Sequence, residues 1–251
     1  MKGGTRNMTE FSDLWEPQAD PEMWIVAAAA VLALLLVAYG PAWRVSRNIV
    51  TIAHEGGHAL VALLTGRKLD GIRLHSDTSG VTVSRGRPEG AGMVLTALAG
   101  YVAPPLLGLL FAWLLELGRI TLMLWFSLLL LAGMLVMIRN VFGVVSVVTT
   151  GGIIFAVSWF APTDVQAAFA YFGASFLLLA GARPVIELQR LRAMRQAPSS
   201  DADQLSQLTG VPGLVWVFVF GLVALASLVL GGNLLIPAET FEAPSFSWTA
   251  P

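Results

Sequence analysis

Six stretches of this chain run for 18 residues or more without a charged side chain: 24–43, 91–115, 120–138, 140–163, 165–182 and 211–238. Apolar runs of about 18 residues or more are long enough for a helix to cross a bilayer. The composition agrees. Charged residues make up 12% of the chain and hydrophobic ones 56%, whereas a soluble domain carries about 25% charged residues. The chain therefore reads as an all-α, multi-pass integral membrane protein with about six full transmembrane helices, lodged in the plasma (cell) membrane. The net charge of −1 offers no field for nucleic acid, so none is expected as a partner. The absence of cysteine excludes disulfides, thiolate metal sites and a cysteine nucleophile. Any transition metal would have to be held by His, Asp, Glu or Asn.

The flanks read differently from the middle. Residues 1–22 hold Glu10, Asp13, Glu16, Asp20 and Glu22. They lack the basic start and early apolar core of a signal peptide and read as a disordered acidic tail. Residues 23–236 form one integral membrane domain, and the Pro-containing stretch 237–251 is a C-terminal tail. Arginines orient the domain. Arg183, Arg190, Arg192 and Arg195 mark 183–210 as a cytoplasmic segment, because cytoplasmic loops are enriched in Lys and Arg. Counting back through the spans places 66–90 on the same side, with Arg67, Lys68, Arg73, Arg85 and Arg87. Within it, GIRLH and GVTVS have strand composition and flank a DTSG turn signal, which predicts a small β-hairpin.

That orientation leaves one segment over. Residues 45–65 begin and end on the cytoplasmic side, so they read as a partly inserted helix rather than a crossing one. This segment contains AHEGGHAL, residues 53–60. On a helix, His54 and His58 lie four residues apart on one face, spaced to grip a single Zn²⁺. Glu55 is then placed to take a proton from a metal-activated water rather than to coordinate. The spacing is H-E-x-x-H, the signature of zinc hydrolases. Against it stands a structural reading, in which a polar cluster merely joins two helices. Ionisable residues at membrane depth are costly enough to favour a functional role. Gly56 and Gly57 suit the close approach of another helix or of a substrate strand.

With these motifs the chain resembles the site-2 protease family of intramembrane zinc metallopeptidases, in its divergent B-like branch. The likeness rests on HEGGH in an early membrane helix, the hairpin LDGIRLHSDTSGVT after it, AGYVAPPLLG in the next span and SDADQLSQLTGVP before the last. It covers roughly residues 45–220. It implies hydrolysis of peptide bonds in or near the membrane, a Zn²⁺ cofactor, and membrane proteins or peptides as substrates.

The resemblance has a gap. Better-known members supply a third ligand from an L-D-G motif on a later membrane helix. The only L-D-G here is Leu69-Asp70-Gly71, in the hairpin, and the corresponding span has Asn140, Thr149 and Thr150 but no carboxylate. Asp201 is the favoured substitute, because S-D-A is the shared part of the branch's motif. Asp203, Asn140, Asp164, Asp70 and Asp77 are the other candidates. Ser200 with Asp203 also fits a helix cap, and Asp201 suits a helix's first turn by its dipole. His75 reads as a solvated hairpin residue, Arg139 as a snorkelling anchor. Gly100, Pro104 and Pro105 read as a kink or as plain packing.

Three functions compete. The first is an intramembrane zinc metalloprotease. The second is a catalytically silent membrane scaffold that keeps the fold, favoured by the missing L-D-G acid and opposed by Glu55. The third, a metal transporter, would need polar ligands along a midplane path, which the later spans lack.

Overall fold

The computed structural model describes residues 16–196 and 199–236. Residues 1–15 and the C-terminal tail 237–251 lie outside them. The described elements are α1 (Met23–Ala38), α2 (Gly40–Leu64), β1 (Lys68–Leu74), β2 (Gly80–Arg85), α3 (Ala91–Glu116), α4 (Ile120–Met137), α5 (Val141–Phe160), α6 (Thr163–Ala193), α7 (Asp201–Thr209) and α8 (Gly213–Leu234). The part of the N-terminal tail that is described is held in place. Gln18 donates its backbone N–H to Gly118 O at 2.8 Å, and its side-chain oxygen accepts from Thr121 N at 3.0 Å.

Five helices, α3, α4, α5, α6 and α8, are long and apolar enough to cross a membrane. The uncharged run 24–43 is not a sixth straight span. α1 ends after 16 residues, about 24 Å, short of a hydrocarbon core of about 30 Å. After Tyr39 the chain turns by 103° into α2. Set beside the expectation of about six full spans plus a partly inserted helix, the described helices give five candidate spans, or six if the bent pair α1–α2 counts as one. The cause is local. Pro41 has no N–H to bond the Val37 carbonyl and restricts the residue before it. Arg183 of α6 takes over that orphan carbonyl. Arg183 also stacks on Trp43 at 4.7 Å, and Trp43 Nε1 donates to Glu187 Oε1 at 2.8 Å. The bend is therefore pinned to α6.

α6 is the central helix. It packs on α1, α3 and α8, and its Ala170, Ala174, Phe176 and Leu178 are almost inaccessible. Alanines at these contacts let helix axes approach closely, which is how packing is gained where lipid supplies no hydrophobic drive. α6 runs for 31 residues, about 46 Å, so the arginine-rich stretch continues the helix instead of forming a loop.

The hairpin forms where expected. β1 and β2 pair antiparallel, with Ile72 opposite Thr82, and Asp77 closes the turn by accepting from Ser79 N at 2.9 Å. The Ser79 hydrogen bonds also hold the Asp77 carboxyl below its ordinary range. The hairpin does not hang free. Ile72 and Leu74 are fully buried, Arg139 N donates to Ile72 O at 2.9 Å, and Asn140 Nδ2 donates to Leu74 O at 2.6 Å. The α4–α5 turn thus acts as a third rung beside β1, and the hairpin is clamped between that turn and α2.

Candidate metal centre

Four residues separate nothing by chance on α2: one helical turn brings His54 Nε2 and His58 Nε2 to 3.1 Å, with the rings edge to face. The space they occupy is made by α3. A Cβ on Gly100 would overlap His58 Nε2 and lie 2.6 Å from His54 Cε1. Gly100 is therefore the slot for both imidazoles. α3 itself runs unbroken from Ala91 to Glu116 with Pro104 and Pro105 inside it. The two glycines of HEGGH differ. Gly57 lies against Ala99 and Ala103 of α3, while Gly56 faces open space.

Hydrogen bonding sets the state of His58. Its Nδ1 lies 2.6 Å from the Thr96 carbonyl oxygen. A carbonyl can only accept, so Nδ1 carries the hydrogen and Nε2 presents a lone pair when the ring is neutral. A bond of this kind on the far nitrogen is the usual support of a ligating histidine. His54 is braced by Tyr101, edge to face at 4.9 Å, and Tyr101 stacks on Phe220 of α8 at 4.8 Å.

Asp201 closes the triangle from the first position of α7. Its Oδ2 lies 3.3 Å from both Nε2 atoms. That oxygen is buried and has no hydrogen-bond partner. Three potential donor atoms converge here, and a shared positive charge, a ring proton or a metal ion, is what such a group holds. The spacing suits a metal ion. Ligands about 2.05 Å from a tetrahedral centre stand about 3.3 Å apart. The three donor atoms all lie within 4.8 Å of one another, so the group could hold a metal ion. Two imidazoles and a carboxylate form a donor set of the catalytic zinc type, with a fourth position left for water or substrate.

The other candidates for the third position are engaged elsewhere. Asp203 pairs with Arg192 and Ser200. Asn140 bonds Leu74 through both ends of its amide. Asp70 accepts from Arg85 across the hairpin at 2.8 Å. Asp77 closes its own turn, and Asp164 sits in the first turn of α6. His75 is exposed beside Ser79, as read. Arg139 folds back on the carbonyls of Val136 and Ile138. The two readings of Ser200-Asp201-Ala202-Asp203 prove compatible: Ser200 caps α7 while Asp201 faces the histidines.

Glu55 is buried, at 4% exposure, under the hairpin. Thr82 Oγ1 donates to its Oε2 at 2.6 Å, and a Cβ on Gly80 would lie 2.6 Å from its Oε1. Thr51 Oγ1 ties the hairpin to α2 a turn earlier, donating to Thr78 O at 2.7 Å. Thr82 was missed in the sequence. Its signal was the strand alternation, which puts Gly80 and Thr82 on one face of β2. Gly100 was noticed there only as a break or packing residue, and Arg192 only as a charge.

No curated protein and no solved structure matches the chain. Residues 27–231 match the family described as Peptidase M50B-like. That match spans both histidines, the hairpin and Asp201, and the chain belongs to the Peptidase M50B-like family.

Proposed function

We propose that this chain is an intramembrane zinc metallopeptidase that hydrolyses peptide bonds of membrane-associated substrates. One observation carries the reading: the buried Oδ2 of Asp201, 3.3 Å from two histidine nitrogens that belong to an H-E-x-x-H helix. Family membership supports a peptidase in general terms. In this reading His54, His58 and Asp201 hold the ion. A zinc ion there would supply Lewis acidity to a water and to the scissile carbonyl.

The remaining work falls to the chain's own groups. Glu55 takes the proton from the attacking water and returns it to the leaving amine. Thr82 donates to Glu55 Oε2 and so holds the carboxylate in place to accept that proton. The hairpin covers the base through Gly80 and Thr82, and Gly56 leaves open space next to it in the chain. A substrate helix must unwind at the cleaved bond, because a helical peptide group is hydrogen-bonded and sterically covered. We place the protein in the cell membrane with α7 and the hairpin end of α2 toward the cytoplasm, following the arginine distribution.

The scaffold reading drew its support from a missing third acid, and the grouping of Asp201 with both histidines supports the protease reading instead. The test is Glu55→Gln in detergent-purified protein. Zinc near one per chain should persist in the variant, while cleavage of a membrane-inserted test substrate disappears. Cleavage that survives Glu55→Gln would end the protease reading.

A further inference from the structure

α7 has nine residues, too few for a helix to hold itself in water. Yet its first residue must sit within bonding range of two histidines on another helix. Two apolar side chains, Ala202 and Leu205, are fully buried against Ala97, Val185, Leu188, Val217 and Phe220. They hold the helix against its neighbours. They do not by themselves fix the rotation and axial position of the first turn, where Asp201 lies.

A separate polar latch lies at that turn. Residues two apart on a helix point about 200° apart, so Asp201 and Asp203 face opposite ways. Asp203 turns to α6, where Arg192 Nη1 bonds its Oδ1 and also donates to Ser200 Oγ at 3.1 Å. Ser200 Oγ donates in turn to Asp203 Oδ2 at 2.6 Å and accepts from Asp203 N at 3.4 Å. The hydroxyl thus gives one hydrogen and accepts two, its full capacity. The far side of the guanidinium fills a notch at the start of α8. A Cβ on Gly213 would overlap Arg192 Nη2 and lie 3.0 Å from its Cζ and 3.1 Å from Ala202 O. One guanidinium therefore joins the end of α6, the cap of α7 and the start of α8, and the residues it bonds flank Asp201 on both sides in the chain.

From this geometry we infer that Arg192 is a positioning residue for the metal centre, acting through Ser200 and Asp203 to hold the Asp201 carboxylate against His54 and His58. The inference rests on the metal reading above. It makes occupancy of the centre depend on a contact made by no ligand. Outer partners that orient a ligand commonly change metal affinity by about 10–100-fold.

The experiment is a double-mutant cycle on the full chain in detergent, with Co²⁺ and Zn²⁺ as the probes and affinity read by chelator competition. Arg192→Gln should weaken binding of both ions by about 10–100-fold and alter the visible spectrum of the cobalt form. Arg192→Lys should recover part of the loss. In an Asp201→Ala background, Arg192→Gln should change affinity by less than about 2-fold, since the ligand it positions is gone. Asp203→Asn, a milder change to the same latch, should weaken binding in the same direction and covers the case in which Arg192→Gln fails to fold. Two results would overturn the inference: wild-type affinity in both Arg192→Gln and Asp203→Asn, or an equal loss with and without Asp201. Folded wild-type protein that binds neither ion would instead sink the metal reading, and the latch with it.

Discussion

His54 and His58 reach the centre from the interior of a 25-residue helix, and Asp201 reaches it from the first position of a nine-residue one. The histidines are set by helix periodicity, by the Gly100 slot and by the Thr96 carbonyl, all within the packed pair α2–α3. Asp201 is set by a cap, an ion pair and two buried apolar residues, on a helix that crosses no membrane. The first arrangement is rigid because it is built into continuous helices. The second depends on docking. A centre assembled this way should respond very differently to damage on its two sides, and each experiment below probes that asymmetry.

The largest effect is expected on the rigid side. Gly100→Val places two methyl groups where the imidazoles stand, and α3 cannot retreat because α6 backs it closely at Gly108. Interiors at this density do not absorb such volume. Zinc content of the folded, monodisperse protein should fall to background. Stoichiometric zinc in that variant would show that Gly100 is not the slot.

On the docked side the loss should be partial. Asp201→Ala removes one ligand of an expected four. Taking roughly a quarter of the binding energy of a structural zinc site gives about 3 kcal/mol, or ~100-fold in affinity. Asp203→Ala should cost less, since it loosens the ligand without deleting it. Equal losses in the two variants, measured by chelator competition, would mean that Asp201 is not the third ligand.

The same asymmetry explains what could be read in advance. The H-E-x-x-H pair was legible because its two histidines are four residues apart, and the hairpin because alternation and the Asp77–Gly80 turn are local signals. Asp201 could be named but not separated from Asp203 or Asn140, because the choice depends on which way a distant helix is rotated when it docks. The bend after Tyr39 was hidden for another reason. Hydropathy registers composition, and the run 24–43 stays apolar through a 103° change of direction. The Gly40-Pro41 pair was the local punctuation that marked it. The hairpin's burial against Asn140 and Glu55 was equally nonlocal, because the strands meet these residues only when distant elements pack together.

The hairpin offers a third kind of support, for the base rather than for the ion. Thr82→Val keeps the shape of the side chain and removes the hydrogen bond to Glu55 Oε2. A hydrogen bond to a charged group is worth about 1.5–3 kcal/mol, so the cleavage rate should fall by at least ~10-fold. Metal content should not change. Loss of zinc in Thr82→Val would mean that the hairpin also holds the α2 ligands, and the division between the two sides would have to be redrawn.

The smallest effect should come from Ser200→Ala, and it is the finest probe of the docked side. Ser200 is the α7 cap, and loss of such a cap costs about 1 kcal/mol. If α7 were held only by Ala202 and Leu205, that cost would fray its first turn without reaching the ion, and metal affinity would stay within experimental error. If the first turn and the ligand move together, the same ~1 kcal/mol is drawn from binding, because the metal must then order what the cap no longer orders. Affinity should drop by about 5-fold. The corresponding cap of α2 makes no such contribution: Tyr39 provides no side-chain hydrogen bond to α2, and His54 lies well inside the helix. Tyr39→Ala should therefore leave affinity unchanged. A drop in Ser200→Ala without one in Tyr39→Ala would show that the carboxylate side of the centre is held by its helix end and the histidine side is not.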